Sequence, residues 1–417
     1  MKSGRTIGLY VGLLTSVAGL ADPNGGLVQL PLLFILKDTL HLSPQWLAWF
    51  AAATQAPGHL GVLFGLVRDR WRLRVSDRAW FLLVSGLVAA AYLWLALAPS
   101  NAVTLLVAFV AIAIAFQIFD AGSHALVTEV GKRVAMTGRL SAIAELSDNV
   151  ASVAAMLAGG WLAAHTLPTT VFLSAFAVTS TLFVISLWRP GVIFAPRERE
   201  ERLPAAGAGL ATAARLATSP GFWPVLAILL LYAFSPGWGT PFVFYLTGEL
   251  HLSATVFGVC RAASFTAMAL STLLYGVLCQ RFALRTLLWG TIAVNVLPGF
   301  LFLIIGDARE AAAVAALGGL CTGLGNVVLL DLLRRSSPTA MEGTANMMGL
   351  SAMALAWTLG DVLGAWLYEQ GGFLLCIVLD AVATVLIVPL LLRLPARVIS
   401  GRDGELSGSE ALEVLPG

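Results

Sequence analysis

The sequence predicts an all-α membrane protein with twelve transmembrane helices arranged as two six-helix bundles. Apolar runs recur along the whole chain, and a helix needs about 20 such residues to cross a hydrocarbon core about 30 Å thick. One long polar stretch, at 189–222, divides these runs into six and six. The two halves also resemble each other in sequence, which indicates a duplicated bundle.

Composition supports the same class. Of the 417 residues, 58% are hydrophobic and 12% are charged, and this charged fraction is about half of that usual in a soluble domain. The four cysteines stand singly in apolar stretches, with neither disulfide nor zinc spacing, so we expect no metal and no cofactor. The N-terminal apolar run has no suitably placed small-residue cleavage site, which indicates an uncleaved first span.

The spans are located by their apolar runs and by the polar residues that flank them. They are predicted at 7–36, 44–67, 79–98, 102–127, 140–164, 168–188, 223–247, 253–278, 285–305, 311–333, 343–368 and 372–393. The predicted domains are an N-terminal bundle at 1–188, a cytoplasmic linker at 189–222, a C-terminal bundle at 223–393 and a disordered cytoplasmic tail at 394–417.

The distribution of basic residues predicts the orientation. Lys and Arg are enriched in cytoplasmic loops of membrane proteins. With both termini placed in the cytoplasm, all but three of the 25 Lys and Arg residues fall on that side; the exceptions are Lys37, Arg261 and Arg309. We therefore expect an integral protein of a bacterial plasma membrane, with the lipid bilayer as its surroundings and with both ends inside.

The internal repeat has a fixed offset. The sequence Leu-His-Leu-Ser at 40–43 recurs at 250–253, and the loop 65–74 aligns with 276–285 after one inserted residue. Two such halves in parallel topology are related by an axis along the membrane normal. In transporters built this way, the solute site lies near the bilayer midplane.

The loop 65–74 resembles the loop between spans 2 and 3 of the major facilitator superfamily. The residues that carry this motif are Gly65, Asp69, Arg70 and Arg74. Asp69 lies at the negative end of the span 2 helix dipole and so needs a positive partner, and the start of span 11, at 342–344, presents its positive end on the same side. The resemblance implies that this contact latches the two halves together on the cytoplasmic side. The equivalent position in the second half is Gln280.

A narrower resemblance is to the folate–biopterin transporter family. It covers Pro-Leu-Leu-Phe-Ile-Leu-Lys-Asp at 31–38 with Leu-Ser-Pro at 42–44, the segment 120–129 of span 4, Thr-Gly-Arg at 137–139 and Glu-Gly-Thr at 342–344. Span 2 departs from the family pattern, because it has Pro-Gly-His at 57–59 and no lysine. The resemblance implies a pterin-like heterocyclic solute.

Two spans are predicted to be broken near the middle of the membrane. Span 1 contains Asp-Pro-Asn-Gly-Gly at 22–26, and span 7 contains Ser-Pro-Gly-Trp-Gly at 235–239. Proline removes a helical N–H group, and freed backbone groups must face protein or a wet cavity. Paired breaks of this kind favour a solute site, although each could instead be a plain kink.

Ionisable residues inside spans are costly and are therefore functional candidates. Gln117 and Asp120 share one face of span 4, and Glu145 and Asp148 share one face of span 5. Such carboxylates suit proton coupling. The alternative is a structural network paired to Lys132 or Arg139.

In the second half, the cation Arg261 is expected either to pair with Asp361 or Asp380 or to bind an anionic solute. Asp331 is expected to form an interfacial salt bridge with Arg334 and Arg335.

The candidate residues fall into two sets. The predicted solute-binding residues are Asp22, Asn24, Gln117, Asp120, Trp238, Tyr245, Arg261, Asn326 and Trp357. The predicted proton-coupling residues are Asp120, Glu145 and Asp148.

The predicted function is secondary active transport of a small, anionic or pterin-like solute by alternating access, with protons as the coupling ion. No hydrolase or nucleotide-binding motif is present, so the chain is not expected to be an enzyme. We expect a monomer that does not bind nucleic acid. The alternative function is that of a membrane assembly or pigment-delivery factor on the same fold.

Overall fold

The computed structural model describes residues 2–42, 44–71, 76–98, 101–194, 210–252, 254–339 and 341–405. Within these ranges the chain is helical and contains no strand. In chain order the helices are α1 (Lys2–Ala21), α2 (Gln29–Phe34), α3 (Pro44–His59), α4 (Gly61–Trp71), α5 (Asp77–Leu97), α6 (Ala102–Arg133), α7 (Thr137–His165), α8 (Pro168–Leu187), α9 (Leu210–Thr218), α10 (Trp223–Ala233), α11 (Thr240–Phe244), α12 (Ala254–Arg281), α13 (Leu284–Asn295), α14 (Leu297–Phe302), α15 (Ala308–Ser336), α16 (Glu342–Leu391) and α17 (Ala396–Ile399).

The described helices account for the twelve predicted spans. Nine helical segments are long and apolar enough to cross a membrane, one of them being α13 together with α14, and α3 with α4, bent by 41°, passes the same test as a pair. Helix α16 has 50 residues, about 75 Å at 1.5 Å per residue, which is more than twice the thickness of a hydrocarbon core. Its backbone breaks at Gly372, where φ is 69° and glycine is favoured, so α16 provides two spans. The last span is α10 continued by α11.

Both predicted breaks are present, and they lie at equivalent places in the repeat. Helix α1 ends at Ala21 and the chain resumes as a helix at Gln29; α10 ends at Ala233 and resumes at Thr240. Each resumed helix passes into a π-helical turn, at Ile35–Thr39 and at Tyr245–Glu249. The duplication is therefore visible in the backbone.

The residues after the two π turns also correspond. His41 and His251 both have a positive φ, of 50° and 52°. Non-glycine residues rarely adopt this conformation, so its recurrence at the same repeat position supports a common origin for the two halves.

The described residues form two compact units. Unit 1 comprises those within Met1–Glu129, Leu146–Ala213 and Thr339–Met347, and unit 2 those within Val130–Glu145, Ala214–Pro338 and Met348–Gly417. In unit 1, α8 packs against α5 and α1; in unit 2, α12 packs along α15. The domain boundaries predicted from the sequence follow the repeats and not these spatial units.

Candidate functional site

The break in span 1 is held by its own polar groups. The Asp22 carboxylate accepts a hydrogen bond from the backbone N–H of Asn24 at 3.0 Å, and the N–H of Gly26 donates to the Asp22 carbonyl at 2.9 Å. The Asn24 amide donates to the Thr54 carbonyl of α3 at 3.0 Å. The break is thus fixed to span 2, and one donor of the predicted binding residue Asn24 is already used.

Glycines allow helices to approach the two breaks closely. A Cβ atom at Gly159 of α7 would lie 2.8 Å from the carbonyl oxygen of Leu27, and one at Gly364 of α16 would lie 2.0 Å from that of Pro236. Both distances are shorter than real Cβ contacts. Gly159 lies in span 5 and Gly364 in span 11, the fifth span of each half, so each half uses a glycine on this span for a close backbone approach.

Three carboxylates surround the first break within unit 1. The electrostatic neighbours of Asp120 are Asp22 and Asp148. A Cβ atom at Gly19 would lie 2.9 Å from Oδ1 of Asp148, so the Asp148 carboxylate reaches the backbone of α1. Among the described residues, Asp120 has neither a hydrogen-bond donor nor an ion-pair partner. Three carboxylates in such an arrangement repel one another unless a proton or a cation lies among them.

Two further polar groups border this cluster, which we call the acidic cluster (Asp22, Asp120 and Asp148). Tyr92 of α5 is fully buried and is an electrostatic neighbour of Asp22, and its hydroxyl group has no hydrogen-bond partner in the described part of the chain. Gln117, one turn before Asp120, points its amide nitrogen towards Gly58, 3.9 Å from where a Cβ atom of that glycine would lie.

Glu145 has different surroundings from Asp148, although the two share a helix face. The electrostatic neighbour of Glu145 is Arg334 of α15, within unit 2. Arg334 is fully buried, and none of its three guanidinium nitrogens has a hydrogen-bond partner among the described residues. The structure thus groups Asp148, and not Glu145, with Asp120.

The predicted pairings of the neighbouring charged residues are only partly present. Asp331 pairs with Arg335 at 2.9 Å and accepts a hydrogen bond from Tyr275 at 2.6 Å, whereas no ion pair joins it to Arg334 in the described structure. Arg139 pairs with Asp403 instead of a span carboxylate.

The break in span 7 is capped by Asp361 of α16. Its carboxylate accepts hydrogen bonds from the backbone N–H of Thr240 at 2.6 Å and from the Thr240 hydroxyl at 3.0 Å. Asp380 lies within hydrogen-bond reach of Ser235 and Trp238. The expectation that Asp361 or Asp380 pairs with Arg261 is therefore wrong, because both acids satisfy the broken helix.

Arg261 has an unusual environment for a cation in a span. Its guanidinium group lies over the ring of Phe265, 5.1 Å from the centroid, and it forms no ion pair with any described residue. The Asn326 side chain likewise forms no hydrogen bond within the described ranges. Both residues are partly exposed. Within its described residues, unit 2 therefore offers a cation without an ion pair and an amide without a hydrogen bond.

The predicted aromatic residues are mostly used in packing. Tyr245 is buried, stacks on Phe373 at 4.2 Å and donates to the Phe302 carbonyl at 2.8 Å. Trp238 meets the Phe302 ring edge-on at 5.4 Å. Trp357 is 47% exposed. Of the three predicted residues, Trp238 and Trp357 retain exposed surface and Tyr245 is part of the core.

The predicted contact of Asp69 is present. Its carboxylate accepts hydrogen bonds from the backbone N–H groups of Gly343 at 3.2 Å and Thr344 at 2.6 Å, and from the Thr344 hydroxyl at 2.6 Å. A Cβ atom at Gly65 would lie 2.7 Å from the Gly343 carbonyl oxygen, so this glycine permits the approach of α4 to α16. Asp69 thus caps the N-terminus of α16, as the helix dipole favours.

The cation that neutralises this site was not predicted. Arg68 is buried and pairs with Asp69 at 2.8 Å, with Asp77 at 2.6 Å and with Glu129 at 3.1 Å. Arg70 is exposed, and Arg74 lies outside the described residues. The sequence does contain a signal for this cation. Glu129 and Asp77 are acids near the ends of apolar spans, and each requires a positively charged partner.

Comparison with known proteins identifies the family. The model of the major facilitator superfamily matches residues 15–247 and again residues 237–412. The chain belongs to the major facilitator superfamily. This transporter is 26% identical over 397 residues to a folate-biopterin transporter of Synechocystis, with 89% of the chain and 79% of that relative covered.

Solved structures share the fold of this transporter. The E. coli fucose:proton symporter matches with a TM-score of 0.70 at 12% identity, with 94% of this chain and 99% of that chain covered. A human organic anion transporter matches with a TM-score of 0.69 at 17% identity, with 93% and 99% covered. A bacterial homologue of the iron transporter ferroportin matches with a TM-score of 0.70 at 16% identity, with 93% and 98% covered.

These matches decide between the predicted classes. The family and its structural neighbours are transporters, so the protein is an integral membrane transporter of a small solute and not an enzyme. The fold class is confirmed, and an assembly or pigment-delivery function is not favoured.

Proposed function

We propose that this transporter carries an anionic, pterin-like heterocyclic solute by alternating access and couples its movement to protons. The observation that carries the proposal is the position of Asp120, without a hydrogen-bonding or ion-pair partner and next to Asp22 and Asp148, beside the broken span 1. Neighbouring carboxylates that interact titrate as a group. A proton bound by the acidic cluster is therefore shared by its three members.

Proton binding here is linked to the break by direct contact. Asp22 belongs both to the acidic cluster and to the turn that shapes the break, where it accepts the N–H of Asn24. A change in charge on the cluster alters this hydrogen bond, and with it the backbone that faces the solute. This arrangement favours Asp148 over Glu145 as the second member of the coupling group, because Asp148 is an electrostatic neighbour of Asp120, whereas the electrostatic neighbour of Glu145 is Arg334.

The polar groups left free in unit 2 suit an anionic, flat solute. Arg261 supplies a permanent positive charge, and a guanidinium binds carboxylates in a bidentate manner. The Phe265 ring beneath it and the amide of Asn326 add a stacking surface and hydrogen bonds. The likeness to a folate-biopterin transporter points to the same chemistry, because a folate has a pteridine ring and carboxylates.

The Asp69 contact supports the alternating-access part of the proposal. It joins the end of α4 in the first repeat to the start of span 11 in the second repeat. We place both termini and this latch on the cytoplasmic side of a bacterial plasma membrane, with the transporter acting as a monomer.

The test is uptake into proteoliposomes that contain the purified transporter. Folates and unconjugated pterins are offered with and without an imposed pH gradient, and a neutral sugar serves as the control solute. We expect pteridine uptake that is driven by the gradient, and a more than tenfold loss for the anionic folate in Arg261→Gln. Sugar uptake without pteridine uptake would overturn the substrate class, and uptake indifferent to the gradient would overturn proton coupling.

A further inference from the structure

In the first repeat, an acid at the end of span 2 caps the start of span 11. The second repeat has no acid at the equivalent position. The end of α12 lies against the start of α7, where a Cβ atom at Gly138 would be 3.0 Å from the Cβ atom of Cys279. Position 280 is an exposed glutamine whose amide donates to the Gly276 carbonyl of its own helix at 2.7 Å. Neither Cys279 nor Gln280 can therefore supply a carboxylate to the N-terminus of α7.

A carboxylate reaches this place from the C-terminal segment. Oδ1 of Asp403 accepts a hydrogen bond from the backbone N–H of Gly138 at 2.9 Å, and Oδ2 accepts one from Nε of Arg139 at 2.5 Å. The backbone N–H of Asp403 donates to the Cys279 carbonyl at 2.9 Å. Asp403 is only 8% exposed. One residue thus joins the start of span 5 to the end of span 8.

The rest of the segment is fixed to unit 2 as well. The Gly401 carbonyl accepts a hydrogen bond from Arg335 of α15 at 2.8 Å, and Ile399 of α17 is buried. Burial raises the pKa of Asp403 above its ordinary value, while its hydrogen bonds to Arg139 and Gly138 act in the opposite direction. The contacts come from three different spans, as expected of a segment with a defined place.

We infer that residues 400–405 form a clasp, in which Asp403 replaces the capping carboxylate that the second repeat lacks. In the first repeat, Asp69 holds the N-terminus of α16; in the second, Asp403 holds the N-terminus of α7. The clasp restrains span 5 against the ends of spans 8 and 10. It is a conformational device and does not depend on the identity of the solute or of the coupling ion.

The reactivity of Cys279 can report on this clasp, because Cys279 is buried and its carbonyl group accepts the hydrogen bond from the backbone N–H of Asp403. The other three cysteines, Cys260, Cys321 and Cys376, are replaced by alanine. The rate of Cys279 labelling by a water-soluble maleimide is then measured in membranes. We expect labelling to be at least about tenfold faster in Asp403→Asn than in its parent, the factor that corresponds to about 1.4 kcal/mol.

The matched control is Glu405→Gln, because Glu405 lies in the same segment and accepts only the local N–H of Arg402. Its labelling rate should equal that of the parent. Equal rates in Asp403→Asn and Glu405→Gln would overturn the clasp. Because no solute enters this assay, its failure is distinct from a failure of the proposed transport.

A double-mutant cycle separates the clasp from a general loss of stability. Asp403→Asn and Arg139→Gln are made singly and together, and the midpoint of thermal unfolding is measured alongside the labelling rate. If Asp403 acts on Arg139, the second substitution adds little to the first. Fully additive effects on both measurements would overturn the inference, even if each variant is less stable than the parent.

Discussion

Replacing Asp69 by asparagine tests the latch with almost no change in side-chain shape. The substitution removes the negative charge that caps the N-terminus of α16 and that pairs with Arg68. Arg68 keeps Asp77 and Glu129 as partners, so its own burial remains compensated. The loss is therefore concentrated on the contact with Gly343 and Thr344.

The size of the stability loss at this contact follows from its geometry. Three donors converge on the Asp69 carboxylate, which is buried. An asparagine whose oxygen takes the place of Oδ2 keeps both Thr344 donors and turns its NH₂ group towards the Gly343 N–H, so one of the three hydrogen bonds and the negative charge are lost. Hydrogen bonds to a charged group contribute about 1.5–3 kcal/mol each. The latched state should therefore lose about 1.5–3 kcal/mol, a shift of about ten- to a hundredfold in its population relative to the unlatched state.

The assay follows the second turn of α16. Met347 is 3% exposed in the structure, so a cysteine placed there by Met347→Cys, in a chain whose four natural cysteines are replaced by alanine, should react slowly with a water-soluble maleimide. Asp69→Asn should accelerate this reaction by one to two orders of magnitude. Thr344→Val removes only the hydroxyl donor and should have a smaller effect in the same direction.

Arg70→Gln is the matched control, because Arg70 is exposed in the same helix end. The latch is refuted if the introduced cysteine reacts as slowly in Asp69→Asn as in Arg70→Gln. It is also refuted if Asp69→Asn lowers the midpoint of thermal unfolding and leaves the labelling rate of the folded fraction unchanged, because the contact would then support the fold alone.

Two further outcomes are expected. Asp120→Asn should reduce proton-driven accumulation of solute by more than about tenfold. It should leave solute exchange largely intact, because exchange requires no net proton movement. Accumulation against a gradient by folded Asp120→Asn in proteoliposomes would contradict this. Gly364→Ala should destabilise the protein by about 1–3 kcal/mol, the usual cost of overpacking, because its Cβ atom would meet the Pro236 carbonyl. In contrast, Gly258→Ala, which meets no atom within 4 Å, should not lower the thermal midpoint, because alanine is favoured over glycine inside a helix.

Local sequence chemistry was sufficient to predict the breaks and the Asp69 contact. A proline next to glycines interrupts a helix whatever surrounds it, so the ends at Ala21 and Ala233 followed from composition alone. Asp69 at the negative end of one dipole required the positive end of another, and the repeat and topology left the start of span 11 as the partner.

Tertiary neighbours could not be predicted in the same way. Helical periodicity places Glu145 and Asp148 on one face, but it does not say that one lies near Arg334 and the other near Gly19. Arg68 was missed because a basic residue in such a loop is fully explained by the orientation rule. Asp403 belongs to a segment expected to be disordered, and only its contacts with Gly138 and Arg139 assign it a place.

The duplication separates what the backbone must do from what the side chains do. Both repeats keep a broken span, a π turn and a glycine at the break, at 159 and 364, so these features belong to the shared scaffold. The charged chemistry is not shared: among the described residues, Asp120, a carboxylate without a hydrogen-bond or ion-pair partner, lies in the first repeat, and Arg261, a cation without an ion pair, lies in the second. If protons bind at Asp120 and an anionic solute binds at Arg261, the proton and the solute bind in different repeats.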